Sequence, residues 1–251
     1  MGEALSFRVR IFKPAGCTRV LQKLDLAYER GYRRILLHGL GGTGKTKAAL
    51  YFARNKFKVE PLYILLPCTP EDAYHFYCFV KTLKSNSHNK VVVIVDELEK
   101  IVNREVIGWL CKTLELDPHL VIGITNEPAY VRKTLHSIWR RFTISGVLVY
   151  APPANYAERL HIVYASAKKL KIKILKEDAT RIAKILEGYN FMETTHLFDI
   201  AIKQKGKVNY EIIEKFVKEG VVQPSNTPID EEKYLNDLHD ISKWDIDQKL
   251  Y

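Results

Sequence analysis

The segment GLGGTGKT, Gly39–Thr46, stands between the apolar run RILLH (Arg34–His38) and the helix-forming stretch KAALYFARNKF (47–57). It matches the pattern G-x-x-x-x-G-K-[ST]. Glycines let the backbone curl so that successive N–H groups converge on a phosphate, and the helix that follows adds the positive end of its dipole. The lysine of this pattern reaches the outer phosphates, and the final hydroxyl ligates Mg²⁺. The loop therefore predicts a site for a nucleoside triphosphate with magnesium, formed by Gly39, Leu40, Gly41, Gly42, Thr43, Gly44, Lys45, Thr46 and Lys47.

Four further apolar or β-branched runs follow that first strand: Leu62–Pro67, Val91–Val95, His119–Thr125 and Gly146–Tyr150. Most of them are continuous rather than alternating, as is typical of strands buried on both faces. Helix-length stretches lie before and between the runs: Cys17–Arg30, Thr46–Lys56, Pro70–Lys84 and Arg104–Leu114. We predict an α/β fold with a parallel five-stranded sheet, sandwiched by helices and wound with right-handed crossovers.

The pattern changes after Tyr150, where Ala151-Pro152-Pro153 interrupts the strand-like runs. The chain from Asn155 to Lys218 has the periodicity of amphipathic helices: Tyr156–Leu170, Glu177–Leu186, Met192–Lys203 and Tyr210–Glu219. We therefore predict a nucleotide-binding α/β domain over residues 1–152 and a small helical domain over 153–220. An acidic C-terminal tail over 221–251 is expected to be partly disordered or to dock on a basic face.

Two carboxylates, Asp96 and Glu97, end the buried run Val91–Val95. They are expected at the carboxyl edge of the sheet, the edge that also carries the phosphate loop. Asp96 is predicted to hold Mg²⁺ together with Thr46. Glu97 is predicted to orient and deprotonate an attacking water. The alternative is a solvated pair at a strand end.

The chain of 251 residues has a net charge of +10, which is unevenly distributed. Between residues 221 and 251, seven acidic residues stand against three lysines, so that this segment has −4 and the remainder +14. A basic body suits a polyanion such as DNA, and a lysine-rich solvated surface is the alternative. The four cysteines form no CxxC pair, which favours reduced thiols. No apolar run suits a membrane span or a signal peptide, so we expect a cytoplasmic protein without a membrane partner.

Over residues 15–205 the chain resembles the AAA+ ATPases, which are P-loop NTPases. GLGGTGKT resembles their Walker A motif, VVVIVDE (91–97) their Walker B motif and VIGITNEP (121–128) their sensor-1 strand. The resemblance implies that ATP is the nucleotide, that it is hydrolysed to ADP and phosphate, and that Asn126 orients the attacking water. SIWRRF (137–142) resembles the segment that supplies arginine fingers. The resemblance thus implies a homo-oligomer, a ring or a filament, in which Arg140 and Arg141 act on a neighbour's nucleotide.

APPANYAERLHIV (151–163) resembles the hinge into the helical lid of this family, and GYNFMETTHLFDIA (188–201) the lid segment that reaches over the nucleotide. The lid arginine of the family is not evident, since Thr195 and His196 stand near its place. The segment between the second and third strands holds one predicted helix and no pore loop of the kind that threads polypeptide. The chain is thus similar to a minimal module of the loader or initiator type. Its small basic form also resembles ATPases of spindle-shaped archaeal viruses, which would place it in the host cytoplasm.

Several alternatives stay open for these residues and for the function. Asn126 also fits a turn cap before Pro128, and the two arginines also fit surface charges or nucleic-acid contacts. The aromatic segment 73–79 fits a helix face packed on the sheet or a face that stacks on bases, and the lysines of 168–173 fit a solvated helix end or a phosphate contact. The leading hypothesis is an ATPase that acts on DNA in replication initiation or loading. A protein-complex remodeller and a slow nucleotide-gated switch accessory to DNA packaging or partitioning are the alternatives.

Overall fold

The computed structural model describes residues 13–86, 90–238 and 245–246. Its sheet has five parallel strands in the order β2-β3-β4-β1-β5. The strands are β1 (Arg34–His38), β2 (Leu62–Leu65), β3 (Val92–Asp96), β4 (Leu120–Thr125) and β5 (Val147–Tyr150). The prediction of an α/β fold with a parallel five-stranded sheet is confirmed. Residues 1–12, for which no signal peptide is expected, lie outside the described residues.

Helices bury both faces of the sheet. Helices α1 (Thr18–Glu29) and α2 (Lys45–Phe57) pack on one face, and α3 (Pro70–Ser85), α4 (Arg104–Glu115) and α6 (His136–Thr143) on the other. Successive strand residues point to opposite faces. In β1, Ile35 and Leu37 therefore pack with α1 and α2, whereas Leu36 joins the opposite core. This double burial explains why the strand sequences are continuously apolar.

Local signals set the ends of the helices. The side chain of Thr69 accepts a hydrogen bond from the Asp72 backbone and Asp72 returns one, so that a capping box starts α3 just before Pro70. Most element ends differ by one or two residues from the predicted ones. The sequence does not predict α5 (Pro128–Thr134), whose seven residues are too few for a periodic signal.

The remaining helices form a core of their own, which we call the lid. The lid consists of α7 (Tyr156–Lys169), α8 (Lys176–Ile185), α9 (Phe191–Lys205) and α10 (Tyr210–Lys218). Val163, Ile182 and Phe198 are among its fully buried side chains. Capping boxes at Asn155 and Asn190 start α7 and α9. The proposed division of the chain at 152 and 220 stays a prediction.

The chain then returns from the lid to the sheet through a stretch that we call the C-terminal segment, residues 222–238 and 245–246. It contains α11 (Pro228–Asp237). Tyr234 packs in the core on one face of the sheet and Ile246 in the core on the other, while Asp245 forms a parallel bridge with Leu148 of the edge strand β5. The described part of the predicted acidic tail is therefore packed against the fold, and Asp240 and Asp247 lie outside it. No helix in the described ranges has the length and apolar character of a membrane span.

Candidate functional site

The loop between β1 and α2 has a conformation that depends on its glycines. Gly39, Gly42 and Gly44 have φ angles of +152°, +76° and +82°, which residues with side chains rarely adopt. A Cβ atom on Gly39 would lie 2.4 Å from the carbonyl oxygen of Ala151. Gly44 is the N-cap of α2, so the positive end of the helix dipole faces the loop. The loop thus has the features expected of a phosphate cradle.

Lys45 lies buried under the loop that it follows. Its Nζ donates hydrogen bonds to the carbonyl oxygens of Gly39 and Leu40, at 2.8 and 2.7 Å. Burial lowers the pKa of the ammonium to about 8, although Glu99 and Asp96 partly oppose this shift. A buried ammonium with neutral carbonyl partners retains a positive charge that a phosphate would balance.

Asp96 ends β3, and its carboxylate accepts three hydrogen bonds. The Thr46 hydroxyl and the Tyr63 hydroxyl donate to Oδ2 at 2.6 and 2.9 Å, and the Glu97 backbone N–H donates to Oδ1 at 2.8 Å. Hydroxyl and carboxylate oxygens are the ligands that Mg²⁺ prefers. Among the described residues no cluster of three His, Cys, Asp or Glu side chains could hold a metal ion by itself. Thr46 and Asp96 therefore fit a magnesium ion whose other ligands are phosphate oxygens and water.

Glu97 and Asn126 line one cavity but have separate partners. Glu97 has a φ of +58°, and its carboxylate accepts a hydrogen bond from Lys100 at 2.7 Å. The Asn126 amide donates to Oε1 of Glu99 at 2.7 Å, and the Thr125 hydroxyl donates to Oε2 of Glu99 at the same distance. Glu99, which sequence reasoning does not single out, therefore fixes the orientation of Asn126.

The cavity has a volume of about 1340 Å³ and lies between the loop and the lid. The lid contributes Ile162 and Tyr164 of α7 and Phe191 of α9 to its walls. The ring of Phe191 lies 5.2 Å from Nζ of Lys47 and 5.3 Å from Nζ of Lys169. The predicted loop lysine and one of the predicted lid lysines thus meet at one aromatic ring, and the cavity has a basic wall suited to an anion.

Cys17 lies directly below the loop. It is 2% exposed, and its thiol contacts the carbonyl oxygen of Gly44 at 3.7 Å. Burial raises the pKa of the thiol to about 11, with a smaller contribution from Glu158 and an opposing one from Lys47. The thiol is therefore protonated at neutral pH and acts as a packing group.

Arg140 and Arg141 lie on α6, outside the wall of their own cavity. Arg141 forms an ion pair with Glu115 and donates to the carbonyl oxygen of Ser137 at 2.7 Å. Arg140 is exposed, and within the described ranges it has no ion-pair partner. The structure thus does not bring the two arginines to the residues of the loop, and their action on a neighbour stays a prediction.

Thr195 and His196 stand near the place where the resemblance to AAA+ ATPases predicts a lid arginine, but other lid residues line the cavity. Thr195 is buried in the lid core, where its hydroxyl lies 3.0 Å from that of Ser166. Neither Thr195 nor His196 lines the cavity, whereas Asn190 and Asn226 do. Sequence reasoning missed both asparagines, as it missed Tyr63 and Glu99. Asn190 carries a local signal, its capping box with Glu193, but that signal indicates a helix start and no site.

An aromatic group on the far side of α3 and α4 lies away from the cavity. The rings of Tyr74 and Tyr77 lie 4.8 and 5.4 Å from that of Trp109, and Nζ of Lys112 lies 4.0 Å above Trp109. Ala73, by contrast, is fully buried under the sheet. The aromatic segment 73–79 therefore has one face on the sheet and one face outside.

Comparisons with known proteins add the fold-level context. No family model and no curated protein sequence matches the chain. The crystal structure of the FIGL-1 AAA domain is similar, with 19% identity and a TM-score of 0.67 over 92% of this chain and 87% of that one. The same domain in complex with ADP has 18% identity and a TM-score of 0.66, over 95% and 90%. Domain III of the Thermotoga maritima replication initiation protein DnaA has 17% identity and a TM-score of 0.57, over 83% and 93%. The chain has an AAA+ ATPase fold, with the strand order 2-3-4-1-5 followed by the lid helices.

Proposed function

We propose that this chain binds ATP with magnesium at the loop and hydrolyses it to ADP and phosphate. The contact that carries the proposal is that of the Thr46 hydroxyl with the Asp96 carboxylate, at 2.6 Å, beside the buried ammonium of Lys45. Together they offer two oxygen ligands for the cation of a nucleoside triphosphate and a positive charge for its phosphates. The ADP in the FIGL-1 AAA domain supports an adenine nucleotide through the shared fold.

Each side chain at the cavity has a defined role in this proposal. Lys45 exchanges its two carbonyl partners for phosphate oxygens. Magnesium, when bound, neutralises charge on the outer phosphates. Glu97 orients and deprotonates the attacking water, which requires that its carboxylate leave Lys100. Asn126, held by Glu99, orients the same water.

We propose that hydrolysis takes place between copies of the chain, with Arg140 of one copy acting on the nucleotide of the next. Its exposed position outside its own cavity supports action in trans, while the ion pair of Arg141 with Glu115 makes Arg141 the weaker candidate. An arginine finger is worth about 10³–10⁵ in rate. The test mixes Arg140→Ala with Glu97→Gln subunits. Recovered turnover supports action in trans, and its absence from assembled mixtures contradicts it.

We propose DNA as the partner, in a role of the replication initiation or loading type. The +14 charge outside residues 221–251 supports a polyanion. In the aromatic group formed by Tyr74, Tyr77 and Trp109, Tyr74 is exposed and the other two rings are partly buried; an exposed ring close to Lys112 suits stacking of single-stranded bases.

The decisive experiment measures ATP turnover and oligomer size with and without single- and double-stranded DNA, at two salt concentrations. DNA is expected to raise turnover, and its binding is expected to weaken steeply with salt. Lys112→Gln should weaken DNA binding, whereas Lys203→Gln on the lid, which removes the same charge from a pair with Asp199, should not. Absent or salt-insensitive DNA binding contradicts the DNA role. Stimulation by a protein partner rather than by DNA indicates the remodeller.

A slow nucleotide-gated switch is the second candidate, and one observation favours it. Glu97 is paired with Lys100, so the carboxylate that would activate the water already has a partner. Breaking this contact would add to the barrier of hydrolysis. Steady-state turnover of the chain alone separates the two candidates, because fast multiple turnover without a partner excludes the switch.

A further inference from the structure

The C-terminal segment reaches the phosphate loop through one buried side chain, Asn226. This residue is 3% exposed and lines the cavity. Its Nδ2 donates a hydrogen bond to the carbonyl oxygen of Gly41 at 2.8 Å. Its Oδ1 is buried without a hydrogen-bond partner among the described residues. Because the contact to a carbonyl oxygen requires a donor, it also identifies which amide atom is the nitrogen.

The hydrogen bond from Asn226 reaches a peptide group that lies between two glycines of the loop. Gly41 and Gly42 flank one peptide group, and with no Cβ atom on either side its rotation is cheap. The planar trans peptide directs its C=O and its N–H to opposite sides. A donor that holds the Gly41 carbonyl therefore also holds the Gly42 N–H, which belongs to the loop that would cradle phosphate.

The surrounding contacts hold Asn226 in place. Its backbone N–H donates to the carbonyl oxygen of Gly188 at 3.3 Å, and a Cβ atom on Gly188 would lie 1.8 Å from the Asn226 carbonyl oxygen. On the other side of the loop, His38 ends β1 immediately before Gly39. Nε2 of the His38 ring lies within hydrogen-bond distance of the Asp245 carboxylate, at 3.1 Å, and Nδ1 of the Tyr234 hydroxyl, at 2.9 Å.

The C-terminal segment therefore contacts the chain at two points: at His38, directly before the loop, and at Gly41 within the loop. His38 is 3% exposed, and its ring forms a compact triangle with those of Tyr150 and Tyr234, with centroids 5.6 and 6.2 Å from His38 and 5.8 Å from each other. Further along the edge, the Tyr150 hydroxyl donates to Glu231 of α11 at 2.8 Å. These contacts fix α11, and with it Asn226, relative to the sheet.

We propose that Asn226 is a positioning residue for the phosphate loop, supplied by the C-terminal segment, and that its Oδ1 accepts a hydrogen bond from a water that the bound phosphates order. This proposal rests on the proposed function, because it assumes that the loop binds the phosphates of ATP. It adds a residue that lies 185 positions from its partner in the chain.

The test replaces Asn226 by leucine, which has similar size and no charge but cannot donate a hydrogen bond. Loss of the bond leaves the Gly41 carbonyl unpaired, so the Kd for ATP and ADP is expected to rise about 10- to 100-fold, measured by titration with a fluorescent ADP analogue. At saturating ATP the turnover number should change far less than KM. Gln223→Leu makes the same amide-to-leucine change at an exposed residue that donates to the carbonyl oxygen of Gly220 outside the cavity, so it should leave the Kd within about twofold.

Two competing ligands distinguish positioning of the loop from general support of the lid. Pyrophosphate reports on the phosphate cradle and adenosine on the base site. The Asn226→Leu variant should lose affinity for pyrophosphate and keep its affinity for adenosine, and equal losses for both would overturn the proposal. Tyr234→Phe keeps the ring but removes the hydroxyl that binds His38, so it should weaken pyrophosphate binding in the same direction by a smaller factor.

Tyr234→Phe also keeps the proposal testable if Asn226→Leu does not fold. An unchanged affinity for pyrophosphate in that variant would then contradict the coupling of the C-terminal segment to the loop. Failure of the wild-type chain to bind any nucleotide would overturn both the proposed function and this inference. Nucleotide binding by the wild type with the same Kd in Asn226→Leu would overturn the inference alone.

Discussion

Gly123 lies where strand β4 meets the two segments that carry the predicted catalytic side chains. A Cβ atom at this position of β4 would lie 2.7 Å from Cζ of Phe142 and 2.9 Å from Cδ1 of Leu98. Both neighbours are 1% exposed, so neither has space to move into. Phe142 follows Arg141 on α6, and Leu98 lies between Glu97 and Glu99. Gly123→Ala therefore overpacks the core at the point that supports the site.

Overpacking of this kind costs about 1–3 kcal/mol of the free energy of unfolding, and both contacts lie well below normal carbon–carbon distances, which places the expected loss near 2 kcal/mol. For a chain of this size, about 2 kcal/mol lowers the melting temperature by roughly 4–8 °C in thermal unfolding followed by circular dichroism. Turnover should fall more than nucleotide affinity, because Leu98 and Phe142 adjoin the side chains proposed to be catalytic rather than the loop.

The matched control is Gly108→Ala on the exposed face of α4. A Cβ atom there would meet nothing within 4 Å, so the gain in helix propensity should raise the stability by about 0.5–1 kcal/mol. The same chemical change thus has opposite expected signs at the two glycines. If Gly123→Ala unfolds at or above the wild-type temperature, the packing argument is wrong.

Three further outcomes are expected. Lys45→Ala should abolish ATP binding while the chain stays folded, since in the described ranges the hydrogen-bond partners of the buried ammonium are all loop atoms. Isothermal titration measures the affinity for ATP, and retained affinity contradicts the assignment. The Glu97→Gln variant should bind ATP, but its turnover should fall by a factor of about 10² or more. Glu99→Gln keeps one oxygen and the side-chain length, so its effect on turnover should be smaller. A larger effect of Glu99→Gln in steady-state kinetics would make Glu99 the base. Cys17 should react slowly with iodoacetamide at pH 8, and the rate should rise about tenfold per pH unit up to its pKa of about 11. Bound ATP should lower the rate at each pH, because Cys17 lines the cavity. Fast, pH-independent labelling of this residue, followed by mass spectrometry, would contradict its burial.

The sequence predicts best those features that depend on residues close together in the chain. Continuous apolar runs indicate strands buried on both faces, and the glycine pattern before α2 indicates a loop whose backbone needs positive φ angles. The carboxylate of Asp96 follows from its place at the end of a buried strand, because parallel strands bring their carboxyl ends to one edge. Its contact with Thr46 therefore needed only the fold, which these same runs predict.

Contacts between remote segments carry no comparable signal. Tyr63 reaches Asp96 from the neighbouring strand, and Glu99 reaches Asn126 because a short 3₁₀ turn, Leu98–Lys100, redirects the chain after β3. That turn brings Glu99 rather than Glu97 to Asn126, and no sequence periodicity reports on it. The C-terminal segment is similar: its acidic composition suggests a solvated tail, but the aromatic and aliphatic side chains between the acids complete the core.

The cavity lies between the α/β part of the chain and the lid side, and separate contacts connect the two. Arg19 of α1 pairs with Glu158 of the lid at 3.0 Å, and Asn226 joins the lid side to Gly41. A ligand that fills the cavity contacts both parts, so its binding free energy stabilises their joined arrangement by mass action, by about 2.7 kcal/mol at a concentration of 100 Kd. Separation of these two parts and release of such a ligand would then be one linked equilibrium. Since the Asn226 contact belongs to the C-terminal segment, a substitution that weakens the contact of this segment with His38 is expected to weaken ligand binding as well, although His38 lies outside the cavity wall.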